Sequence, residues 1–163
     1  METVTTNLKF MSESQRIREQ QVPQSQNLFR TAQASTRNIT DSYLWLDENG
    51  KILWSSSFAN ATLLEQFVGA DRSDRAYFAV PKETLRPHIT SVINSVDNNP
   101  RFYVSYPVLA DDPQENFRGT VVASVQPISI GRFLQSKIAP QFQSTTRLLD
   151  REGVILYSPE NRR

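Results

Sequence analysis

The sequence predicts an α+β domain, an antiparallel sheet with a helical arm against one of its faces, and three observations predict it. Asn49-Gly50 lies between two β-forming runs, Tyr43-Leu44-Trp45-Leu46 and Ile52-Leu53-Trp54, the strongest short hairpin signal a sequence offers. Two later runs, Arg101 to Ala110 and Gly119 to Val125, read as strands. The second of them is almost unbroken in β-branched and small residues and is expected at the centre of the sheet. Ahead of Asp41 lies a polar stretch made mostly of good helix formers.

Taken in order, Thr6 to Gln21 is expected to form an exposed helix with Leu8, Phe10, Met11 and Ile17 as its apolar residues. Pro23 has no amide donor and disfavours helix at Val22, so a break or kink is expected there. Helix then resumes from Gln24 to Asn38, with Leu28, Phe29 and Ala32 as its contacts. The hairpin follows from Tyr43 to Ser57, its turn taken as the two-residue Asn49-Gly50 type. Alternation sends Tyr43 and Trp45 to one face and Leu44 and Leu46 to the other, so both faces need a cover. The arm serves for one face, and the segment from Gly69 to Phe78 is left for the other.

That segment, Val68-Gly69-Ala70-Asp71-Arg72-Ser73-Asp74-Arg75-Ala76-Tyr77-Phe78, holds a glycine, capping-type side chains, two arginines and an aromatic pair. Asp71 or Ser73 is expected to cap a helix starting near Ser73. Arg75 and Tyr77 then offer a fixed cation and a phenol suited to a small polar or anionic molecule. Pro81 to Val96 reads as a helix through Leu85, Ile89, Val92 and Ile93, closed by a turn at Asp97-Asn98-Asn99-Pro100. Tyr103 and Ser105 share a strand face, whereas Tyr106 projects the other way. A short amphipathic helix is expected from Ile128 to Ile138. The tail from Leu148 to Ser158 repeats the first hairpin, Leu149-Asp150-x-x-Gly153-x-Ile155-Leu156-Tyr157-Ser158 against Leu46-Asp47-x-x-Gly50-x-Ile52-Leu53-Trp54-Ser55.

Composition narrows the function. At 163 residues the chain suits one domain with a sizeable core, divided here into a helical arm at 1–39 and a sheet domain at 40–163. Residues 145–163 either close that domain or begin a second module. Hydrophobic residues make up 38% and the mean hydropathy is −0.48, in keeping with a core that carries a polar arm. Eighteen Lys and Arg against 17 Asp and Glu leave a charge of +1 with no block of either sign, so no nucleic-acid partner is expected. The absence of cysteine excludes disulfides and thiolate metal sites and leaves the compartment open. One histidine, His88, expected within a helix beside Pro87, and scattered carboxylates make neither a catalytic set nor a metal cluster, so no enzyme and no cofactor are expected. No run approaches the roughly 18 apolar residues of a membrane span. The abrupt ends suggest a piece cut from a membrane protein. Asn38-Ile39-Thr40 and Asn60-Ala61-Thr62 match the glycosylation acceptor pattern, a faint pointer to an outside location.

In this order the elements resemble the Cache superfamily of extracytoplasmic sensory modules found in histidine kinases and chemoreceptors. The resemblance spans roughly Asn38 to Pro159. It rests most on Asp47-Glu48-Asn49-Gly50-Lys51-Ile52, on Gly69 to Phe78, and on Tyr103-Val104-Ser105-Tyr106-Pro107-Val108. It implies a PAS-like antiparallel sheet of about five to six strands with the long helix on one face and a ligand pocket on the other, roofed by loops and short helices. It implies membrane helices flanking the domain in the full-length protein; Leu8, Phe10, Met11 and Ile17 of the arm, too many for one sheet to bury, are expected to pair with a second copy in a homodimer. Arg75, Tyr77 and Phe78 fall where amino-acid-binding members grip a ligand carboxylate. Acidic residues on later strands hold the ligand's ammonium in those members. Ser105 and Ser124 are the counterparts here, so an α-amino acid is not the expected ligand. The implied ligand-binding residues are thus Arg75, Tyr77, Phe78, Tyr103, Ser105 and Ser124, with the pocket between the 69–78 segment and the strand of Tyr103. The alternative is an intracellular PAS- or profilin-like interaction module with a filled core and Arg75 in a structural salt bridge.

Overall fold

The structure, a computed structural model, describes residues 1–56, 65, 67–94, 99–111, 116–142, 146–149 and 153–159. Asp97 and Asn98 of the expected turn fall outside them, as do the acceptor pattern at 60–62 and Asp150. Three helices form the arm: α1 (Glu2–Glu13), α2 (Gln15–Arg18) and α3 (Val22–Thr36). The chain is broken earlier than Pro23 suggests. Ser14 is extended, at φ −69° and ψ 128°, and Gln20 takes φ 53°. Pro23 instead sits in the first turn of α3, where an amide donor has no helical partner to lose.

Strands β1 (Thr40–Asp47) and β2 (Ile52–Ser55) make the first hairpin, and α4 (Ala76–Thr84) comes after them. Next come the short strands β3 (His88–Ile89) and β4 (Ile93–Asn94), then the long β5 (Pro100–Leu109) and β6 (Phe117–Val125). The order across the sheet is β2-β1-β6-β5-β3, with β4 pairing further along β5, and every pair is antiparallel. The fold is α+β with β6 at its centre, as its β-branched run predicts. Along one edge of β5, β3 and β4 act as a single interrupted strand.

That edge replaces the helix expected from Pro81 to Val96. Pro81 lies inside α4, which ends at Leu85 in a left-handed conformation, φ 54°. Pro87 then disfavours helix at Arg86, and the unpaired edge of β5 takes up β3 and β4. The three- and four-residue apolar spacing of Leu85, Ile89, Val92 and Ile93 is a misleading guide, because Ile89 and Ile93 stay exposed.

Strand alternation divides the core. One cluster joins Tyr43, Trp45, Val104, Val108, Val121, Ala123 and Val125 to Val4, Leu8, Met11, Ile17 and Phe29 of the arm. The arm is therefore not the exposed helix its polarity suggests. Val4, Leu8 and Met11 follow a four- and three-residue spacing that makes one buried stripe, while Phe10 turns outward at 64% exposure. The opposite face carries a smaller cluster of Leu46, Ile52, Tyr77, Phe78 and Val122.

The hairpin forms with a longer turn than expected. Gly50 N–H donates to the Asp47 carbonyl at 3.1 Å, Asp47 N–H donates to the Lys51 carbonyl at 2.9 Å, and only Gly50 of the turn has positive φ, at 84°. This is a three-residue loop whose last member is left-handed, with the Asp47 carboxylate accepting from the Asn49 and Lys51 amides. After β6, α5 (Pro127–Phe142) leads to a separate two-stranded sheet, β7 (Leu148–Leu149) with β8 (Ile155–Tyr157). Gly153, like Gly50, is left-handed, at φ 83°. Among the described residues no helix is long and apolar enough to cross a membrane.

Candidate functional site

The hairpin turn positions the segment that leads to Arg75. Gly69 N–H donates to the Ile52 carbonyl at 2.8 Å, Ile52 N–H to Ala70 at 3.0 Å, and Arg72 N–H to Gly50 at 2.8 Å. Gly50 is needed for space as well as for its φ, since a Cβ there would lie 2.7 Å from the Ser73 backbone. Asp71 folds its carboxylate back onto the Ser73 amide at 2.8 Å, and hydrogen bonds from the Ser73 backbone and hydroxyl hold its carboxyl below the usual range. Asp71 thus closes a turn and does not cap a helix. The helix begins at Ala76, with Arg75 in the N-cap position, extended, and no side chain capping it.

The first turn of α4 parts its aromatic pair. Phe78 is 1% exposed and meets Phe117 edge-on at 5.7 Å, with the Lys82 ammonium 5.4 Å from its ring centre. Tyr77 lies against Tyr103, with ring centres 4.7 Å apart. Burial, with Tyr103 adding to it, pushes the Tyr77 phenol up to about 12.

Beneath these rings the sheet presents hydroxyls. Tyr103 and Ser124 are direct partners across β5 and β6, and Ser124 and Thr120 have buried hydroxyl oxygens with no hydrogen-bond partner among the described residues. Ser105 is wholly buried and donates to the His88 carbonyl at 3.2 Å. Thr90 holds Tyr103 by two bonds of 3.0 Å, Thr90 N–H to the Tyr103 carbonyl and Tyr103 N–H to Thr90 Oγ1.

Between the start of α4 and the interrupted edge strand lies a cavity of about 260 Å³. Arg75, Ala76 and Tyr77 form one wall; His88, Ile89, Thr90, Ser91 and Ile93 form the other. Of the six residues singled out in the sequence, Arg75 and Tyr77 line it. Tyr103 stacks behind Tyr77, Ser105 and Ser124 lie in the buried sheet face, and Phe78 belongs to the core. His88, Thr90 and Ser91 escape the sequence reading, because a helix is expected where a strand forms; Pro87 is the one local signal against that helix. The Arg75 guanidinium is 3.5 Å from the Asp74 carboxylate, with side chains 46% and 76% exposed, so the pair is screened by solvent and holds Arg75 weakly. Among the described residues no carboxylate lines the cavity.

The family described as Cache domain matches the chain over residues 1–163. No curated protein matches it. Among solved structures, the sensory domain of the Campylobacter jejuni chemoreceptor Tlp3 aligns at TM-score 0.67 and 14% identity, covering 98% of this chain and 62% of that one. An extracellular ligand-binding receptor from Desulfohalobium retbaense aligns at 0.65 and 17%, covering 96% and 30%. The sensor domain of the V. cholerae histidine kinase DctB aligns at 0.58 and 17%, covering 86% and 49%. The chain therefore spans less than two thirds of the length of each. The Tlp3 domain has also been solved with isoleucine bound.

Proposed function

The chain belongs to the Cache family, as its hairpin and its 69–78 segment led us to expect, and from that premise we propose that it is the ligand-binding sensor domain of a membrane receptor, a histidine kinase or chemoreceptor, on the extracytoplasmic side. The cavity carries this reading. It sits on the sheet face away from the arm, and its lining is a guanidinium, a phenol, an imidazole and hydroxyls between apolar residues. Its volume, about 260 Å³, lies near the lower end of small-molecule sites and suits a small ligand. Arg75 offers its planar fork to a carboxylate, and Tyr77 a second donor. Among the described residues the lining has no carboxylate to pair with an ammonium, which favours a simple carboxylic acid over an α-amino acid. A pocketless interaction module would lack such a cavity.

Relay rests on the layers. Strands β5 and β6 carry Tyr103, Ser105 and Ser124 on one face and support α1 on the other. A ligand that closes α4 toward the edge strand shifts these strands, and α1 moves with them, by no more than the ligand's differential affinity for the two states. Phe10, outward on α1, is the contact for a second copy in a homodimer. The burial of Leu8, Met11 and Ile17 removes them from that role. The arm at 1–39 and the sheet domain at 40–163 then act as one relay unit, with the tail hairpin at 145–163 either closing that domain or opening a second module, and membrane helices flanking the whole.

Calorimetry of the 163-residue chain against small carboxylates, amines and amino acids tests this, with melting run in parallel. A carboxylate is expected to bind, and Arg75→Ala to weaken it by about ten- to a hundredfold, the value of one charge-assisted hydrogen bond. The melting midpoint should hold, because the Asp74 left behind is solvated. Early melting of Arg75→Ala with no ligand found would overturn the assignment.

A further inference from the structure

The turn between β1 and β2 is held from both faces of the sheet at once. On the arm side, Gln20 Nε2 donates to the Glu48 carboxylate at 2.7 Å and, at 3.4 Å, to the Arg118 carbonyl near the start of β6. On the α4 side, the Lys82 ammonium donates to the Glu48 carbonyl at 3.0 Å. Two rings keep that ammonium in place, the centre of Phe78 at 5.4 Å and that of Phe117 at 6.0 Å. One residue of the turn thus joins the helix of the cavity wall to the arm, around the end of the sheet.

The arm end of this link is strained. Helix α2 closes in a Schellman arrangement, with the Gln21 amide donating to the Arg16 carbonyl at 2.8 Å and the Gln20 amide to the Ile17 carbonyl at 3.1 Å. That closure puts Gln20 in the left-handed region, at φ 53°, where helices most often place glycine. A glutamine there carries strain that a glycine would not. Its side chain supplies what a glycine could not, the bonds to Glu48 and Arg118. Ile17, three residues back, is wholly buried in the arm cluster, so the conformation of Gln20 sets how α2 leads into α3. A strained residue held by its neighbours has two arrangements, held and released.

We propose that Gln20 is a latch in the arm, held left-handed by the β1–β2 turn and loosened when movement of α4 draws Glu48 away through Lys82. The latch adds to the passage through β5 and β6 a second route from the cavity wall to the arm. It does not depend on which ligand moves the helix, and a change at Lys82 can stand in for that movement.

Hydrogen exchange of the full chain, followed amide by amide, tests the latch without a ligand. Glu48→Ala removes the carboxylate and leaves the carbonyl that Lys82 holds. The Gln20 and Gln21 amides should then exchange about fivefold faster, the effect of one lost hydrogen bond. Lys82→Met keeps an apolar stem over the two rings and removes the donor. It should speed the same two amides about two- to threefold, although Lys82 bonds to neither residue, and should add nothing in the Glu48→Ala background. The Val122 amide, in the central strand, should hold its rate in all three variants, since Glu48 and Lys82 are both exposed. Unchanged exchange at Gln20 and Gln21 in Lys82→Met would overturn the latch and leave Gln20 a local anchor. Additive effects in the double variant, or equal acceleration at Val122, would overturn it by showing general loosening. None of these outcomes bears on calorimetry of the cavity, so the sensor reading stands or falls separately.

Discussion

The two faces of the sheet are built from alternate residues of the same strands, yet one is closed by a packed apolar cluster while the other holds a cavity. On the arm side, Phe29 stacks on Trp45 at 5.7 Å and 21° and lies 5.0 Å from Trp54, and aliphatic side chains from the arm and the strands close around them. Opposite Trp45 and Ala123, the same strands turn Leu46, Val122 and Ser124 toward one short helix and an edge. The difference lies in the cover. The arm supplies a continuous apolar stripe. Helix α4 buries Tyr77 and Phe78 and then stops, so the sheet beyond it is left to hydroxyls and a cavity. The larger core cluster lies on the first face and the candidate site on the second.

Trp45→Ala would strain this comparison most. It removes the largest fully buried side chain from the closed face and should cost about 3 to 5 kcal/mol in urea unfolding. A loss near 1 kcal/mol would mean that the arm is not the principal cover.

Gly50→Val comes next, since Gly50 is where the hairpin meets the segment leading to Arg75. A β-branched residue at φ 84° costs about 1 to 2 kcal/mol, and contact with the Ser73 backbone adds at least about 1 more. Gly153→Val is the control: its φ is 83°, but among the described residues nothing lies within 4 Å of a Cβ there, so only the strain term should appear. Equal shifts in melting for the two variants would deny that the turn braces the site.

The smallest effect belongs to the Tyr77 phenol. The fold favours its neutral form up to about 12 against an unfolded value of 10.0, so its contribution is whole below pH 10 and is lost as pH rises through 12. Between about pH 9 and 11 wild type should lose about 1.4 kcal/mol that Tyr77→Phe does not lose. Identical alkaline profiles for the two proteins would show the phenol to be solvated, and the hollow face wetter than its stacking on Tyr103 implies.

What could be read from residues alone was local. Asn49-Gly50 between β-formers, the β-branched run of β6 and the alternation through Tyr43 to Leu46 each depend on neighbours a few positions away, and each appears in the fold. Gly153, at the matching place in the tail repeat, is left-handed like Gly50. Arg75 and Tyr77 were legible because they leave the first turn of a helix whose neighbourhood the segment itself specifies. Distant partners decided the rest. The arm is buried because β5 and β6 offer it an apolar face, and no count of its polar residues reveals that. His88 entered the lining because the edge of β5 lacked a partner and residues 88–94 supplied one, overriding a helical spacing. Period and turn chemistry act within a few residues, whereas burial and edge pairing act between segments brought together only by the fold, and the second wall of the cavity belongs wholly to that later step.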